Sequence, residues 1–139
     1  MEFIRIDQNW LSDLQLLQIA YKQEIGEDEP TEADFESLAQ AIQNGAIFFY
    51  GCIVEEGLIG CCSISPTYST FNYQKSGVFE DFYILPAFRH KGIARKLVSY
   101  AYKQSGVGSL TVGCADCDVE MYQSLGFGIP IGNLFAYEG

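Results

Sequence analysis

The order of apolar patterns along the chain constrains its fold more than any other feature. After a short first strand, two segments have helical spacing and three β-prone runs follow in succession, before strand and helix alternate to the end. Successive β-prone runs joined by turns form an antiparallel meander, whereas a strand–helix–strand unit makes its two strands parallel. The sequence therefore predicts an α+β (mixed α/β) fold, with helices on both faces of one mixed sheet.

Cap and turn residues set the expected limits of these elements. Thr31, with Asp34 three residues later, resembles a capping box at the start of the second helix, and Asn44-Gly45 is typical of its end. Residues 65–76 are predicted to form a polar and aromatic loop. The predicted strands are 3–6, 47–54, 58–64, 78–85 and 109–114, and the predicted helices cover 10–24, 31–44, 93–105 and a segment from Asp116 or Asp118 to Leu125.

Length and composition favour one globular unit. A chain of 139 residues with 48% hydrophobic residues is long and apolar enough to bury a core. No stretch approaches the roughly 20 consecutive apolar residues of a membrane span, and the segment 1–10 contains acidic residues but no basic region typical of a signal peptide. We therefore expect a soluble, cytoplasmic protein with a single domain over residues 1–139.

The net charge of −10 argues against nucleic acid and anionic membranes as partners, because both attract basic surfaces. The five cysteines are an odd number without a secretory signal, so free and mostly buried thiols are expected. Cys114-x-x-Cys117 has no second pair at zinc-finger spacing, and we expect two packed thiols there. His90 is the single histidine, which excludes a His-rich metal site, and no metal is expected.

The basic residues are concentrated in one segment. No acidic residue lies between Phe82 and Ala115, and there a predicted strand passes through a glycine-containing loop into a helix. The unpaired N–H groups and the dipole of a helix start attract anions, and Gly92 and Ala94 leave room for a phosphate beside the backbone. This pattern favours an anion site, and the alternative is a solvated helix start. The cations of this segment are Arg89, Lys91, Arg95, Lys96 and Lys103.

Two motifs in this part of the chain support the first interpretation. Arg89-His90-Lys91-Gly92-Ile93-Ala94 fits Arg/Gln-x-x-Gly-x-Gly/Ala between a strand and a helix, and Tyr122-Gln123-Ser124-Leu125-Gly126-Phe127 fits Tyr-x-x-Leu-Gly-Phe in the last helix. The third glycine of a dinucleotide fingerprint and the Gly-Lys-Ser/Thr end of a P-loop are both absent. With both motifs in this order, the sequence resembles the GCN5-related N-acetyltransferase (GNAT) superfamily, which implies a twisted, mostly antiparallel mixed sheet.

The resemblance implies an acetyl-CoA-dependent N-acetyltransferase. In this family a primary amine, on a small molecule or a peptide, attacks the bound thioester directly in a ternary complex. No enzyme nucleophile is then needed, which agrees with the lack of a Cys/His or Ser/His constellation. By resemblance, acetyl-CoA is the co-substrate, and the residues that bind it are Phe82, Tyr83 and Ile84 on the strand and Arg89, His90, Lys91, Gly92, Ile93, Ala94 and Arg95 in the loop and helix start.

Two catalytic residues are expected. Glu80 is the candidate general base, since it lies two residues before Phe82 and would share its face in a regular strand, whereas Asp81 would point away and pair with a basic helix residue. Many family members carry the base two residues earlier, where this chain has Val78. Tyr122 corresponds to the family's tyrosine that protonates the departing thiolate or hydrogen-bonds its sulfur, and a packing role is the alternative.

The acceptor is the least defined partner. Seven acidic residues between 24 and 36 crowd the junction of the first two helices, where they would attract a cationic amine or would simply be solvated. Tyr68, Phe71 and Tyr73 are expected to line the same cleft or to cover the core. A homodimer is one of the partners that we consider. The family's C-terminal strand pair is expected in a shortened form. The alternative functions are a non-catalytic acyl-CoA-binding sensor or interaction domain and a nucleotide-binding module. The acidic residues are Glu24, Glu27, Asp28, Glu29, Glu32, Asp34 and Glu36.

Overall fold

The computed structural model describes residues 1–139 and contains five strands and four α-helices. One sheet has the order β1-β2-β3-β4-β5, and every pair in it is antiparallel except the parallel pair β4–β5. This confirms the predicted mixed, mostly antiparallel sheet. The strands are β1 Glu2–Arg5, β2 Phe48–Val54, β3 Gly57–Ser69, β4 Gln74–Ile84 and β5 Ser109–Val112, and the helices are α1 Leu11–Glu24, α2 Glu32–Gln43, α3 Ile93–Ser105 and α4 Val119–Ser124.

Helices cover both faces of the sheet, as predicted. Tyr50 and Cys62 belong to the core under α3, whereas their chain neighbours Phe49 and Cys61 belong to the core under α1. Adjacent residues of a strand point to opposite faces, so the two helices lie on opposite sides of the central strands. The second helix begins with the predicted capping box, in which Thr31 Oγ1 accepts a hydrogen bond from the Asp34 N–H.

The predicted loop over residues 65–76 is wrong, because β3 and β4 continue their ladder to the pair Ser69–Gln74. Their outer residues are mostly polar, since this end of the hairpin extends beyond the core. Tyr68, Phe71 and Tyr73 are exposed at its tip and therefore do not cover the core. A hydrophobicity pattern does not distinguish the polar residues of a two-stranded extension from those of a loop.

An irregularity in β4 changes which side chains share a face. Cys61 is opposite Tyr83 but Ser63 is opposite Glu80, so β4 has one more residue here than β3, and Asp81 has φ +54°. Such a bulge interrupts the alternation of side chains. Phe82 consequently packs against the α3 core, as does Phe79, whereas Tyr83 is in the α1 core.

No strand follows β5. The chain packs Phe127 against the α3 core and then continues to Gly139 without a helix or strand. The C-terminal strand pair, expected in shortened form, is therefore absent. No helix of the structure has both the length and the apolar content needed to cross a membrane.

The cysteines divide into two groups. Cys52, Cys61 and Cys62 are buried free thiols, and burial raises the pKa of each of them. Cys114 and Cys117 are exposed. The expectation of packed thiols is wrong for this second pair, because both lie in the surface turn between β5 and α4.

Candidate active site

The loop before α3 presents an uninterrupted row of free backbone donors. The Arg89 N–H bonds to the Pro86 carbonyl, but no acceptor in the protein takes the six N–H groups of residues 90–95. His90 and Gly92 have φ values of +63° and +79°, and left-handed residues of this kind turn successive N–H groups toward one side. With the positive end of the α3 dipole, these groups form a site suited to a phosphate or pyrophosphate.

Gly92 is required by the backbone and not by packing. A Cβ atom built at this position has no other heavy atom within 4 Å, yet the φ of +79° is one that side-chain-bearing residues rarely adopt. The space beside the free N–H groups is therefore open to a ligand.

The Arg89 side chain is occupied within the protein. Its Nε donates to the Ile84 carbonyl at 2.7 Å, and one terminal nitrogen donates to both carboxylate oxygens of Glu24 at 2.8 and 3.0 Å. Its guanidinium also lies 5.3 Å from the centre of the Tyr83 ring. Arg89 thus joins the end of α1 to the end of β4, and the loop offers an anion its backbone donors and the exposed Lys91.

The two parallel strands separate beside this loop. The β4–β5 pairing ends at Phe79–Val112, but β4 continues to Ile84. The last five residues of β4, 80–84, therefore have no strand neighbour on that side. Their free edge leads through residues 85–89 to the α3 loop, and we call the space bordered by these two features the cleft.

Tyr122 of α4 packs in the opening between the strands. Its ring centre is 6.4 Å from that of Phe79, 6.3 Å from that of Phe82 and 6.0 Å from that of Phe127. The hydroxyl makes no hydrogen bond within the protein but is not fully buried. Burial is the main cause that raises the pKa of Tyr122 to about 12, and electrostatic interactions with Tyr21, Asp118 and Cys114 raise it further. The hydroxyl therefore keeps its proton at neutral pH.

The structure corrects the expected orientation of Glu80. Because the bulge at Asp81 interrupts the alternation, Glu80 lies opposite Ser63 on the α1 face, whereas Phe82 is on the α3 face. The shared face predicted for Glu80 and Phe82 is wrong for this reason. Glu80 is exposed, and its position places it on the α1 side of the cleft.

Asp81 lies on that same side and has neutral partners. Ser63 Oγ donates to its carboxylate at 2.7 Å, and Gln18 Nε2 of α1 is 3.5 Å from the second oxygen. The expected ion pair with a basic helix residue is therefore wrong. The contacts join three distant parts of the chain, and no sequence motif indicated Gln18 or Ser63.

Tyr21 of α1 packs edge-on against Tyr83 of β4, with their ring centres 5.9 Å apart. Burial is the main cause of its raised pKa, and the negative charges of Asp81, Glu27, Asp118 and Glu80 raise it further. Tyr21 in turn contributes to the raised pKa of Tyr122. The surroundings of Tyr21, beside the end of β4, are therefore acidic. Tyr21 has helical spacing in the sequence, which indicates packing but no role in a site.

Three of the acidic residues between α1 and α2 have partners within the protein, two in ion pairs and one in a hydrogen bond that keeps it ionised. Glu24 pairs with Arg89, Glu27 lies 3.5 Å from the Lys22 amine, and a backbone hydrogen bond from Thr31 lowers the pKa of Asp34. The other four acids are exposed.

The aromatic residues of the hairpin tip are about 20 Å from Glu80 along β4, at about 3.3 Å per residue.

No group of three or more His, Cys, Asp or Glu side chains has the arrangement needed to hold a metal ion.

The comparisons identify the family. The model of the acetyltransferase (GNAT) domain matches residues 44–129, which is more than half of the chain. The chain therefore belongs to the GNAT acetyltransferase family, and the resemblance seen in its two motifs is confirmed. Comparison with curated protein sequences gives no match.

Solved structures show the same fold over the whole chain. A possible acetyltransferase from Clostridium difficile 630 has a TM-score of 0.86 at 13% identity, covering 99% of this chain and 97% of that one. An aminoglycoside acetyltransferase from an uncultured soil metagenomic sample, in complex with sisomicin, has a TM-score of 0.81 at 14% identity. The match covers 99% of this chain and 95% of that one. AAC(6')-Iy, in complex with a bisubstrate analog of CoA and acetylneamine, has a TM-score of 0.81 at 17% identity. The match covers 99% of this chain and 97% of that one.

Proposed function

We propose that this protein is an acetyl-CoA-dependent N-acetyltransferase that acts on a primary amine of a small molecule or peptide, by direct attack in a ternary complex. The observation that carries the proposal is the adjacency of the six free N–H groups of residues 90–95 and the unpaired end of β4. One half of this cleft suits a pyrophosphate, and the other suits an extended chain that hydrogen-bonds like a strand.

The residues of the cleft fit acetyl-CoA. Lys91, Gly92, Ile93, Ala94 and Arg95 would hold the pyrophosphate through their backbone N–H groups, with His90 at the turn. The edge formed by Phe82, Tyr83 and Ile84 would follow the pantetheine. Arg89 would fix the loop through Glu24 and the Ile84 carbonyl and would not contact phosphate with its side chain. When bound, acetyl-CoA supplies an activated acetyl group.

Glu80 and Tyr122 are the proposed catalytic residues. Amines are protonated near neutral pH, so a base must remove a proton before attack, and Glu80 is an exposed carboxylate on the acidic side of the cleft. The Tyr122 hydroxyl has no hydrogen-bond partner within the protein and keeps its proton at neutral pH, so it is free to donate a hydrogen bond to the sulfur on which negative charge develops.

We propose a cationic acceptor. The negative charges of Glu80, Asp81 and Asp118 all raise the pKa of Tyr21. A positively charged amine that enters between α1 and α4 would be attracted to these carboxylates. Two of the similar structures were determined with the aminoglycoside sisomicin and with an acetylneamine analog. We further propose that the catalytic domain comprises residues 1–139 and acts in the cytoplasm.

The test is consumption of acetyl-CoA with polyamines, aminoglycosides, amino acids and peptides as acceptors. We expect release of free CoA with at least one cationic amine, and micromolar to millimolar binding of CoA by calorimetry, as is usual for enzyme substrates. CoA binding without turnover on any acceptor would favour the acyl-CoA-binding sensor, for which Val78 at the family's usual base position is the supporting observation. Absence of CoA binding would contradict both functions.

A further inference from the structure

The Arg95 side chain makes the only hydrogen bond between α3 and α4. From the first turn of α3, one of its terminal nitrogens donates to the carbonyl of Ser124, the last residue of α4. The contact joins positions 29 residues apart. Arg95 has no carboxylate partner, since the two ion pairs of the structure involve Lys22 and Arg89. Its charge is therefore directed to the negative end of the α4 dipole, where a cation is stabilising.

The carbonyls of residues 121–123, at the end of α4, are satisfied by the backbone. Gly126 has φ +113°, and its N–H donates to the Gln123 carbonyl at 3.1 Å. The Phe127 N–H donates to the Tyr122 carbonyl at 3.1 Å, and the two rings pack with their centres 6.0 Å apart. These contacts form a Schellman motif, which closes many helices that end in glycine. The Ser124 carbonyl has no backbone donor, so the guanidinium group supplies the one that is missing.

Few other contacts fix the position of α4. The helix has six residues, none of which is buried, and no side chain caps its first turn. Tyr122 and Leu125, at its end, pack against the core under α3. A helix of this length is not stable alone in water, so tertiary contacts determine where it lies. The bond from Arg95 is therefore one of a small number of contacts that hold Tyr122 in place.

We propose that Arg95 is a positioning residue, which fixes the end of α4 and thereby holds the Tyr122 hydroxyl at the cleft. This inference rests on the proposed function, in which that hydroxyl donates to the sulfur of CoA. Ser124 follows Tyr122 by two residues in the same short helix, so displacement of the helix end displaces the tyrosine ring as well. A hydrogen bond weakens steeply with distance and angle, so a small displacement would reduce the contribution of the hydroxyl to turnover.

Arg95 also sets the position of Tyr122 relative to the anion site. The backbone N–H of Arg95 is one of the six free donors beside α3, while its side chain reaches the helix that carries Tyr122. In CoA the pantetheine chain separates the pyrophosphate from the sulfur. A fixed span between the groups proposed to bind these two ends would pre-organise the cleft for the extended chain. The role of Arg95 thus differs from that of Arg89, whose side chain joins α1 to β4.

Three variants separate this role from the charge of the basic segment. Arg95→Met keeps an unbranched side chain and the backbone N–H but removes the guanidinium donors. Arg95→Lys restores a charged donor. The matched control is Lys96→Met, because Lys96 is the exposed neighbour in the same turn of α3 and its side chain makes no hydrogen bond. Both positions are exposed, so the variants should fold, which circular dichroism checks.

The first experiment is a double-mutant cycle on kcat, measured with saturating acetyl-CoA and the cationic amine that gives the fastest turnover. Because Arg95 acts through Tyr122, Arg95→Met should lower kcat by no more than the roughly tenfold expected of Tyr122→Phe, and the variant with both changes should match Tyr122→Phe alone. Arg95→Lys should recover most of the loss. Lys96→Met should retain the wild-type kcat, although both methionine variants should weaken CoA binding slightly through the lost charge.

Three kinetic results would overturn the proposal. Losses that multiply in the double variant would show that Arg95 acts independently of Tyr122. A wild-type kcat in Arg95→Met would show that the bond to Ser124 has no effect on turnover. A loss of kcat in Lys96→Met equal to that in Arg95→Met would assign the effect to the charge of the segment and not to the contact with α4.

The second experiment, hydrogen exchange without substrate, tests the contact itself. The amides of residues 125–127 should exchange roughly tenfold faster in Arg95→Met, the equivalent of one charge-assisted hydrogen bond, and at the wild-type rate in Lys96→Met. Unchanged exchange in Arg95→Met would overturn the proposal. A wild type that transfers no acetyl group would contradict the proposed function, and the exchange rates would then decide whether Arg95 fixes α4.

Discussion

The two sides of the cleft are built in different ways. On the α3 side, six consecutive residues supply backbone N–H groups, and their positions follow from one loop conformation. On the α1 side, Gln18, Ser63 and Asp81 come from three separate elements, and side-chain hydrogen bonds hold them together. A site made of backbone depends on local φ angles, whereas a site made of side chains depends on the charge and identity of each residue. Substitutions should therefore affect the two sides differently.

The largest effect is expected on the α1 side. If Glu80 takes the proton of the amine, Glu80→Gln should lower kcat by roughly 10²–10⁴ and abolish the fall of the rate at acidic pH, because the base can no longer be protonated. The measurement is the pH dependence of kcat.

Asp81→Asn is the matched control, since it removes a neighbouring charge on the same side of the cleft. It should retain the acidic limb. If the limb disappears in Asp81→Asn but persists in Glu80→Gln, the base is Asp81, and wild-type kcat in Glu80→Gln would rule out Glu80.

A smaller effect is expected on the α3 side. Gly92→Val should weaken CoA binding at least about tenfold, because the left-handed backbone is lost and the side chain enters the open space beside the free N–H groups. Helix propensity alone predicts only a small cost for valine at this position. The positive φ adds a strain of about 1–3 kcal/mol for a non-glycine residue, so the substitution also destabilises the fold.

Gly106→Val separates these two consequences. Gly106 follows the other end of α3, has φ +69°, and also has no heavy atom within 4 Å of a built Cβ. It should lower the melting temperature by a similar amount and leave the CoA affinity, measured by calorimetry, unchanged. Equal CoA affinities for the two valine variants would contradict the anion site.

The smallest effect is expected where the two sides meet. Tyr122→Phe should lower kcat roughly tenfold and leave the acetyl-CoA affinity nearly unchanged, because the hydroxyl acts only as charge develops on sulfur. Because the pKa of Tyr122 is about 12, its proton is lost only well above pH 10, so the wild-type kcat should show no alkaline limb from this group below that pH. Loss of thermal stability with unchanged kcat would indicate that Tyr122 only packs.

The sequence was informative where local structure determines the site. The α3 loop follows from glycine, small residues and a helix start that are adjacent in the chain, and the Thr31 capping box follows from a spacing of three. The bulge at Asp81 was not predictable, because period-2 alternation assumes one residue opposite one residue. The bond between Arg89 and Glu24 joins positions 65 residues apart, and only the tertiary fold determines such a pair.

The open end of β4, which we propose as a binding surface, is also a hazard. Unpaired strand edges are templates for aggregation, and proteins protect them with charges, bulges and prolines. The free end of β4 has all three, with Glu80 and the bulge at Asp81 at its start and Pro86 just after it, while Arg89 occupies the Ile84 carbonyl. These features disfavour pairing with a strand from another molecule but leave room for the small ligand that we propose. The outer edge of β5 has none of them, so the two edges of the same strand pair differ in the neighbours they accept.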